Sequence, residues 1–154
     1  MKPARLNHAG LTVTDIDAAV AWYGTVFGLR LVFGPAELAG PGRSQVIFGE
    51  GFGAAMRAVM SDESGVALEL FQFIEPPTSL RDENFEYWKT GIFHICLTCA
   101  DVPSQLDAVA ATGGRARTEP LEAGAGRLIA YCEDPFGNIL ELTDRSVDET
   151  YPAV

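Results

Sequence analysis

The sequence predicts an α+β fold built from two βαβββ modules, residues 5–74 and 92–143, within a single domain. A strand-then-helix order occurs twice, and the apolar content of 47% is sufficient for a globular core. In addition, a histidine and a glutamate recur inside apolar strands at matching places in the two halves. A linker, residues 75–91, separates the modules, and residues 144–154 form a C-terminal tail.

The first module begins with a predicted strand at residues 5–13. Asp15 can cap a helix at residues 16–27, which has apolar residues at helical spacing and ends at Gly28. Residues 34–44, rich in Gly and Pro, are predicted to form a loop without regular structure. The remaining predicted strands of this module are residues 29–33, 45–48, 54–60 and 66–74.

The second module repeats this order after a linker that is predicted to hold a short helix around residues 80–88. A strand is predicted at residues 92–99, Asp101 can cap a helix that extends to about residue 112, and further strands are predicted at residues 115–117, 127–132 and 138–143. One constant offset without a gap relates the starts of the modules, so the second half is an internal repeat of the first. It pairs His8 with His94, Leu11 with Leu97, Asp15 with Asp101, and Gly28 with Gly114.

Four polar side chains in apolar strands form the candidate site. His8 and His94 occur in the first strand of each module, and Glu69 and Glu141 in the last. Because side chains alternate along a strand, each glutamate faces away from its flanking leucines and needs water, a partner or a cation. Solvated glutamates and hydrogen-bonded core histidines are the alternative. Since an unpaired buried carboxylate is costly, we predict instead that the quartet binds one divalent metal ion.

The donor set limits the metal and suggests how it is used. Imidazole suits first-row transition metals, and two carboxylates neutralise a dication, so Zn, Ni, Co, Mn and Fe all fit. Four protein ligands leave one or two positions open for water or for two neighbouring oxygens of a small-molecule substrate. The side chains expected to line this apolar pocket are Phe71, Cys96, Ile139 and Thr143.

Composition argues against several classes of partner. The net charge of −10 and the pI of about 4.5 disfavour nucleic acid and anionic membranes, which both need a positive protein surface. No apolar run approaches the roughly 18 residues of a membrane span. The first residues lead into a strand without an apolar signal segment, so we expect a cytoplasmic protein.

The three cysteines, Cys96, Cys99 and Cys132, form an odd number that suits a reducing compartment. Cys96 and Cys99 resemble a redox or zinc motif, but residues three apart in a strand point to opposite faces. We therefore interpret them as two ordinary buried thiols, with Cys96 on the face of His94.

Three segments, residues 6–13, 21–29 and 133–142, carry a family resemblance; the last contains an Asp-Pro-Phe-Gly-Asn turn. Together they resemble the vicinal oxygen chelate superfamily, which includes glyoxalases, bleomycin-resistance proteins and extradiol dioxygenases. In that fold, two modules place their curled sheets side by side as an eight-stranded cup. The first and last strands of each module supply the metal ligands. The resemblance extends from His8 to about Thr143 and implies the same ligand quartet.

The resemblance to glyoxalase I and methylmalonyl-CoA epimerase implies a metal-dependent lyase or isomerase. Both move a proton on carbon next to a metal-bound carbonyl through an enolate, with Glu141 as an expected base. Glu50, in an epimerase-like Glu-Gly-Phe-Gly segment, would be a second base on the opposite face; its alternative role is a solvated loop carboxylate. No basic cluster marks a site for glutathione or CoA, although the candidate arginines are Arg43, Arg57, Arg115, Arg117 and Arg127.

Two other functions stay open. An extradiol-type dioxygenase would use Fe(II) with two histidines and one carboxylate, although Glu69 would then fill a position that the reaction needs. A drug-binding resistance protein would use the same cup without metal and without catalysis. The long linker favours a site within one chain, with a homodimer formed elsewhere, over a site shared between two chains.

Overall fold

The computed structural model describes residues 3–151, which divide after Leu80 into two compact units. The first contains β1 (His8–Thr12), α1 (Ile16–Phe27), β2 (Arg30–Ala39), α2 (Arg43–Phe48), β3 (Ala54–Ser61) and β4 (Ala67–Glu75). The second contains β5 (Ile95–Thr98), α3 (Val102–Ala111), β6 (Arg115–Ala116), β7 (Leu121–Glu122), β8 (Leu128–Glu133), β9 (Ile139–Thr143) and α4 (Val147–Thr150). Both units are βαβββ modules, and the predicted α+β class is confirmed.

The two mixed sheets share one topology. The strand order is β1-β4-β3-β2 in the first unit and β5-β9-β8-β6 in the second, where β7 also pairs with β8. In each sheet the first strand runs parallel to the last, whereas the other neighbours are antiparallel. Because β6 and β7 pair with opposite ends of β8, they take the place of one predicted strand. The described chain thus has nine strands, one more than the eight-stranded cup that the resemblance implies.

The helix of each unit covers one face of its sheet. The Asp15 carboxylate accepts a hydrogen bond from the backbone N–H of Ala18 at the start of α1, and Gly28 ends that helix with a φ of 67°. The predicted bounds of this helix are therefore correct. The buried residues that α1, β3 and β4 contribute to this core include Ala19, Trp22, Tyr23, Ala58, Met60, Leu68 and Leu70.

The second unit is built in the same way. The Asp101 carboxylate accepts hydrogen bonds from the backbone N–H and the hydroxyl of Ser104, which lower the pKa of Asp101. Its buried residues include Val102, Leu106, Val109, Ala130, Cys132, Leu140 and Leu142. In both units the strand residues that alternate with these core residues lie on the opposite face of the sheet, which includes Glu69 and Glu141.

Two predictions for the first unit are wrong. Residues 34–44 were expected to form a loop, but β2 continues through Pro35 to Ala39. This is possible because β2 is an edge strand with irregular pairing between Leu31 and Ala36, which accommodates a proline. The predicted strand at residues 45–48 is part of α2 instead, since a short apolar run has the same appearance in a strand and in a helix.

Three predictions for the second unit also need correction. Residues 80–88 contain bends and a turn rather than a helix, because the Asn84 amide donates to the Gly137 carbonyl oxygen and holds the segment in an irregular path. The first strand is shorter than residues 92–99, so His94 lies immediately before β5. The predicted tail contains α4, whose capping box joins Ser146 and Glu149.

No helix in the described chain combines the length and apolar character that a membrane crossing requires.

A buried carboxylate stabilises the end of β8. Glu133 is 7% exposed and accepts hydrogen bonds from the guanidinium groups of Arg115 and Arg117. Desolvation alone would raise the pKa of Glu133, but the two arginines outweigh it and lower that pKa. The Arg117 guanidinium also lies 4.3 Å from the centre of the Phe85 ring, so the ion pairs help to anchor the segment before β5.

We predict that Glu133→Gln lowers the free energy of unfolding by about 2 kcal/mol at neutral pH, because two guanidinium groups lose their charged acceptor. Folding lowers the pKa of Glu133, so its stabilisation is complete above the pKa of an unfolded glutamate. It is lost as the pH falls through the lower pKa of the folded protein. Urea unfolding at several pH values should show the wild-type advantage shrinking in acid; a pH-independent advantage would contradict this assignment.

Candidate functional site

His8 and Glu69 form a polar pair on the open face of the first sheet. The parallel register of β1 and β4 pairs Gly10 with Glu69 and brings the His8 side chain next to the carboxylate. His8 Nε2 lies 3.1 Å from Glu69 Oε2, and the two side chains are 44% and 15% exposed. The pair is therefore accessible on the histidine side and largely enclosed on the carboxylate side.

The second nitrogen of His8 is held by its neighbour in the chain. His8 Nδ1 lies 2.7 Å from the side-chain oxygen of Asn7, and because an amide oxygen only accepts, Nδ1 carries the hydrogen. A protonated ring donates Nε2–H to Glu69 Oε2, whereas a neutral ring turns its Nε2 lone pair toward that oxygen, which is also an acceptor. A cation between these two acceptors removes their repulsion. Histidine ligands of metals are typically held in this way by an outer partner, so the donors fit a metal ion.

His94 and Glu141 form the equivalent pair in the second unit. His94 Nε2 lies 3.0 Å from Glu141 Oε2, and the two side chains are 24% and 13% exposed. The imidazole packs edge-on against Phe93 and Tyr131. His94 Nδ1 is buried without a hydrogen-bond partner among residues 3–151. The distance between imidazole Nε2 and carboxylate Oε2 thus repeats that of the first unit. The two rings differ in what holds them, which is a hydrogen bond to Asn7 for His8 and aromatic packing for His94.

Glu141 has two further polar neighbours on its own sheet. Cys96 of β5 and Tyr131 of β8 are its register partners, and the Tyr131 hydroxyl donates to Glu141 Oε2 at 3.4 Å. Desolvation and the charge of Glu141 raise the pKa of Tyr131 and that of Cys96 to about 12 each. Both groups therefore keep their protons at neutral pH and act as donors toward the carboxylate.

Sequence reasoning placed Cys96 beside His94 but missed Tyr131. The turn at residues 134–138 contains the signal, because a hairpin closed there fixes which residue of β8 lies opposite Glu141. The interpretation of Cys96 and Cys99 as two buried thiols is wrong: Cys96 is exposed as a residue on the short strand β5, although its thiol is partly desolvated beside Glu141, and Cys99 is only partly buried. Of the other expected lining residues, Phe71 is partly exposed, whereas Ile139 and Thr143 are buried.

Glu69 has a different second partner. Arg57 of β3 lies diagonally across from it, and Arg57 Nε donates to Glu69 Oε1 at 2.5 Å. The two carboxylate oxygens are therefore divided, with Oε1 toward Arg57 and Oε2 toward His8. Only knowledge of the β3–β4 register identifies this contact.

The structure shows two separate pairs, one in each unit. Within residues 3–151 no group of three or more His, Cys, Asp or Glu side chains has the spacing of a metal site, so a shared site for all four ligands stays a prediction. Glu50 lies in the exposed turn between α2 and β3, where the structure records no ion pair or side-chain hydrogen bond for it among the same residues. Its role as a second base also stays a prediction.

We predict that Glu141→Gln makes the Cys96 thiol more reactive, because the carboxylate charge contributes to the raised pKa of Cys96. Iodoacetamide labelling followed by peptide mass spectrometry should show severalfold faster modification of Cys96 in the variant at mildly alkaline pH. Cys132, which is buried, serves as the internal control. Equal Cys96 rates in the two proteins would contradict the contact with Glu141.

Two βαβββ units, each with a histidine–glutamate pair between its first and last strands, define a glyoxalase-like protein. The chain belongs to the Glyoxalase/Bleomycin resistance protein/Dioxygenase superfamily, whose family profile matches residues 5–142. This confirms the resemblance found in the sequence.

Individual relatives are more distant. The chain is 27% identical over 142 residues to lactoylglutathione lyase GLX1 of Arabidopsis thaliana, an alignment that covers 92% of this chain and 44% of that protein. The chain thus spans less than half the length of this relative.

Solved structures show the same fold. A glyoxalase family protein from Bacillus cereus has a TM-score of 0.80 at 20% identity, over 93% of this chain and 95% of that one. A glyoxalase I mutant from Zea mays has a TM-score of 0.60 at 21% identity, over 92% of this chain and 46% of that one. At these identities the likeness establishes the fold and leaves the reaction open.

Proposed function

We propose that this protein is a metal-dependent lyase or isomerase that moves a proton on a carbon next to a carbonyl group. The observation that carries the proposal is the repeated pair of imidazole Nε2 and carboxylate Oε2, 3.1 Å apart in one unit and 3.0 Å apart in the other. With metal–ligand bonds of about 2.0–2.2 Å, two ligands of one ion are typically about 3 Å apart. The similarity to a lactoylglutathione lyase supports the same class of reaction.

In this proposal the quartet His8, Glu69, His94 and Glu141 holds one dication from the set Zn, Ni, Co, Mn and Fe. Such an ion supplies Lewis acidity toward a carbonyl oxygen, which lowers the pKa of the neighbouring C–H. The substrate is then a small molecule with two neighbouring oxygens. A homodimer in the cytoplasm stays the expectation for the assembly and its location.

The residues around Glu141 suit the transfer of a proton. Its carboxylate is the proposed base, and the Tyr131 hydroxyl orients Oε2 from the neighbouring strand. Cys96 and Tyr131 lie beside Glu141 on the two neighbouring strands. Glu50 is the proposed second base for an epimerase-type reaction, in which a proton returns from the other face.

One observation favours a second candidate, an extradiol-type dioxygenase. The guanidinium of Arg57 compensates the charge of Glu69, so Glu69 is less available to a metal than Glu141. The remaining donors, His8, His94 and Glu141, form the two-histidine, one-carboxylate set that binds Fe(II) in oxygenases. This candidate requires that removal of the Glu69 carboxylate leaves iron binding largely intact.

We predict that Glu141→Ala loses both bound metal and turnover, because one of the four ligands is removed. Glu50→Ala should retain its metal, since Glu50 lies outside the quartet. Metal content measured by inductively coupled plasma mass spectrometry on untagged protein tests both variants. A Glu141→Ala protein that kept its metal and its activity would show that the ligand assignment is wrong.

The reaction class is tested by proton NMR in heavy water with candidate α-hydroxy ketones, hemithioacetals and acyl thioesters. We expect solvent deuterium at the carbon next to the carbonyl of a substrate, and loss of that exchange in Glu141→Ala. Oxygen uptake that depends on a catechol would favour the dioxygenase instead. Tight binding of an unreacted drug would favour a sequestering resistance protein.

A further inference from the structure

Arg57 lies on the same face of the first sheet as the His8–Glu69 pair. It is the register partner of Phe71, two residues along β4 from Glu69. Its Nε donates to Glu69 Oε1 at 2.5 Å, and its guanidinium carbon lies 5.1 Å from the centre of the Phe33 ring. The side chain is 34% exposed. The guanidinium is thus fixed by a carboxylate and an aromatic ring while part of it stays accessible.

Glu69 uses only the Nε of this group. Among residues 3–151, the structure records no hydrogen bond or ion pair for the two terminal nitrogens, Nη1 and Nη2. These nitrogens form a planar fork that matches the two oxygens of a carboxylate. Because Glu69 Oε2 faces His8, Arg57 can keep its contact with Oε1 while His8 and Glu69 hold an ion. The fork therefore remains available beside a loaded site.

We propose that the terminal nitrogens of Arg57 bind a carboxylate group of the substrate beside the metal ligands of the first unit. This inference rests on the proposed metal-dependent function. Two glutamates neutralise a dication, so the terminal nitrogens of Arg57 present a positive charge beside a neutral metal centre. One carboxylate pairs with one guanidinium through two parallel hydrogen bonds. The substrate class is accordingly a carbonyl compound with a carboxylate at a second position.

The neighbouring side chains indicate the rest of such a ligand. Phe71 lies next to Arg57 in the register and packs against Phe48 and Phe73, with ring centres 5.9 and 5.8 Å apart. Phe48 is 40% exposed. An apolar surface thus adjoins the charged fork, which suits hydrocarbon between the carbonyl and the carboxylate.

Matched hydroxamates test this assignment on the metal-loaded protein, because a hydroxamate binds a metal through two neighbouring oxygens. One series carries a terminal carboxylate: the monohydroxamates of malonate, succinate and glutarate. The other carries a methyl group in its place: propiono-, butyro- and valerohydroxamate. Isothermal titration calorimetry gives the ratio of their affinities at each length. We expect the best carboxylate probe to bind about tenfold more tightly than its methyl partner in the wild type.

Arg57→Gln should remove this preference, measured as the ratio of the paired affinities at saturating metal because Arg57 also contacts Glu69. Arg57→Lys, which keeps the charge without the fork, should retain part of it. Arg30→Gln, at an exposed arginine of β2, is the matched control and should keep the preference. Equal affinities in the wild type at all three lengths, or a preference that persists in Arg57→Gln, would overturn the Arg57 proposal alone. An Arg57-dependent preference for a phosphonate probe would overturn the carboxylate assignment. Failure of every hydroxamate to bind wild type would overturn the metal centre and this inference together.

Discussion

Parallel pairing of the first strand with the last is the constraint on which each half of this protein depends. The pairing of β1 with β4 and of β5 with β9 places a residue from the start of a module beside one from its end. The helix after the first strand covers one face of the sheet, so alternation along the last strand leaves its glutamate on the other face. A histidine at the start of the module then reaches that glutamate within 3.1 Å in both units. The strand topology therefore brings each histidine next to its glutamate, and the residue types make that contact polar.

The two pairs have diverged in what surrounds them. In the first unit, Gly10 of β1 is the register partner of Glu69, and Arg57 forms an ion pair with the Glu69 carboxylate. In the second unit the register partners are Cys96 and Tyr131, which are neutral donors. Glu69 therefore has a guanidinium as its second partner, whereas Glu141 has a hydroxyl and a thiol. The two units thus place the same pair of side chains in different polar surroundings.

The sequence was most informative where the determinants are local. The bounds of α1 follow from Asp15 and Gly28 at its two ends, and the repeat identified the four polar strand residues. The prediction of a loop at residues 34–44 failed because pairing between distant residues determines the structure there. β2 extends to Ala39 because β3 pairs with it, and no residue within the predicted loop carries that information. The Arg57–Glu69 contact is diagonal across two paired strands. Predicting it therefore requires the register of β3 and β4, which the spacing of the two residues in the chain does not give. The Tyr131–Glu141 contact was readable in principle, since the turn between them fixes their alignment.

Each imidazole–carboxylate couple is complete within its own sheet, and this has a consequence for how such proteins diversify. Because each pair comes from a single unit, duplication of one unit reproduces the pair together with the fold. Exchange of halves between copies, or permutation of their order, would carry the couple along unbroken. The guanidinium beside Glu69 shows that one copy of the pair has a charged second partner, whereas the other copy has a hydroxyl and a thiol in that role.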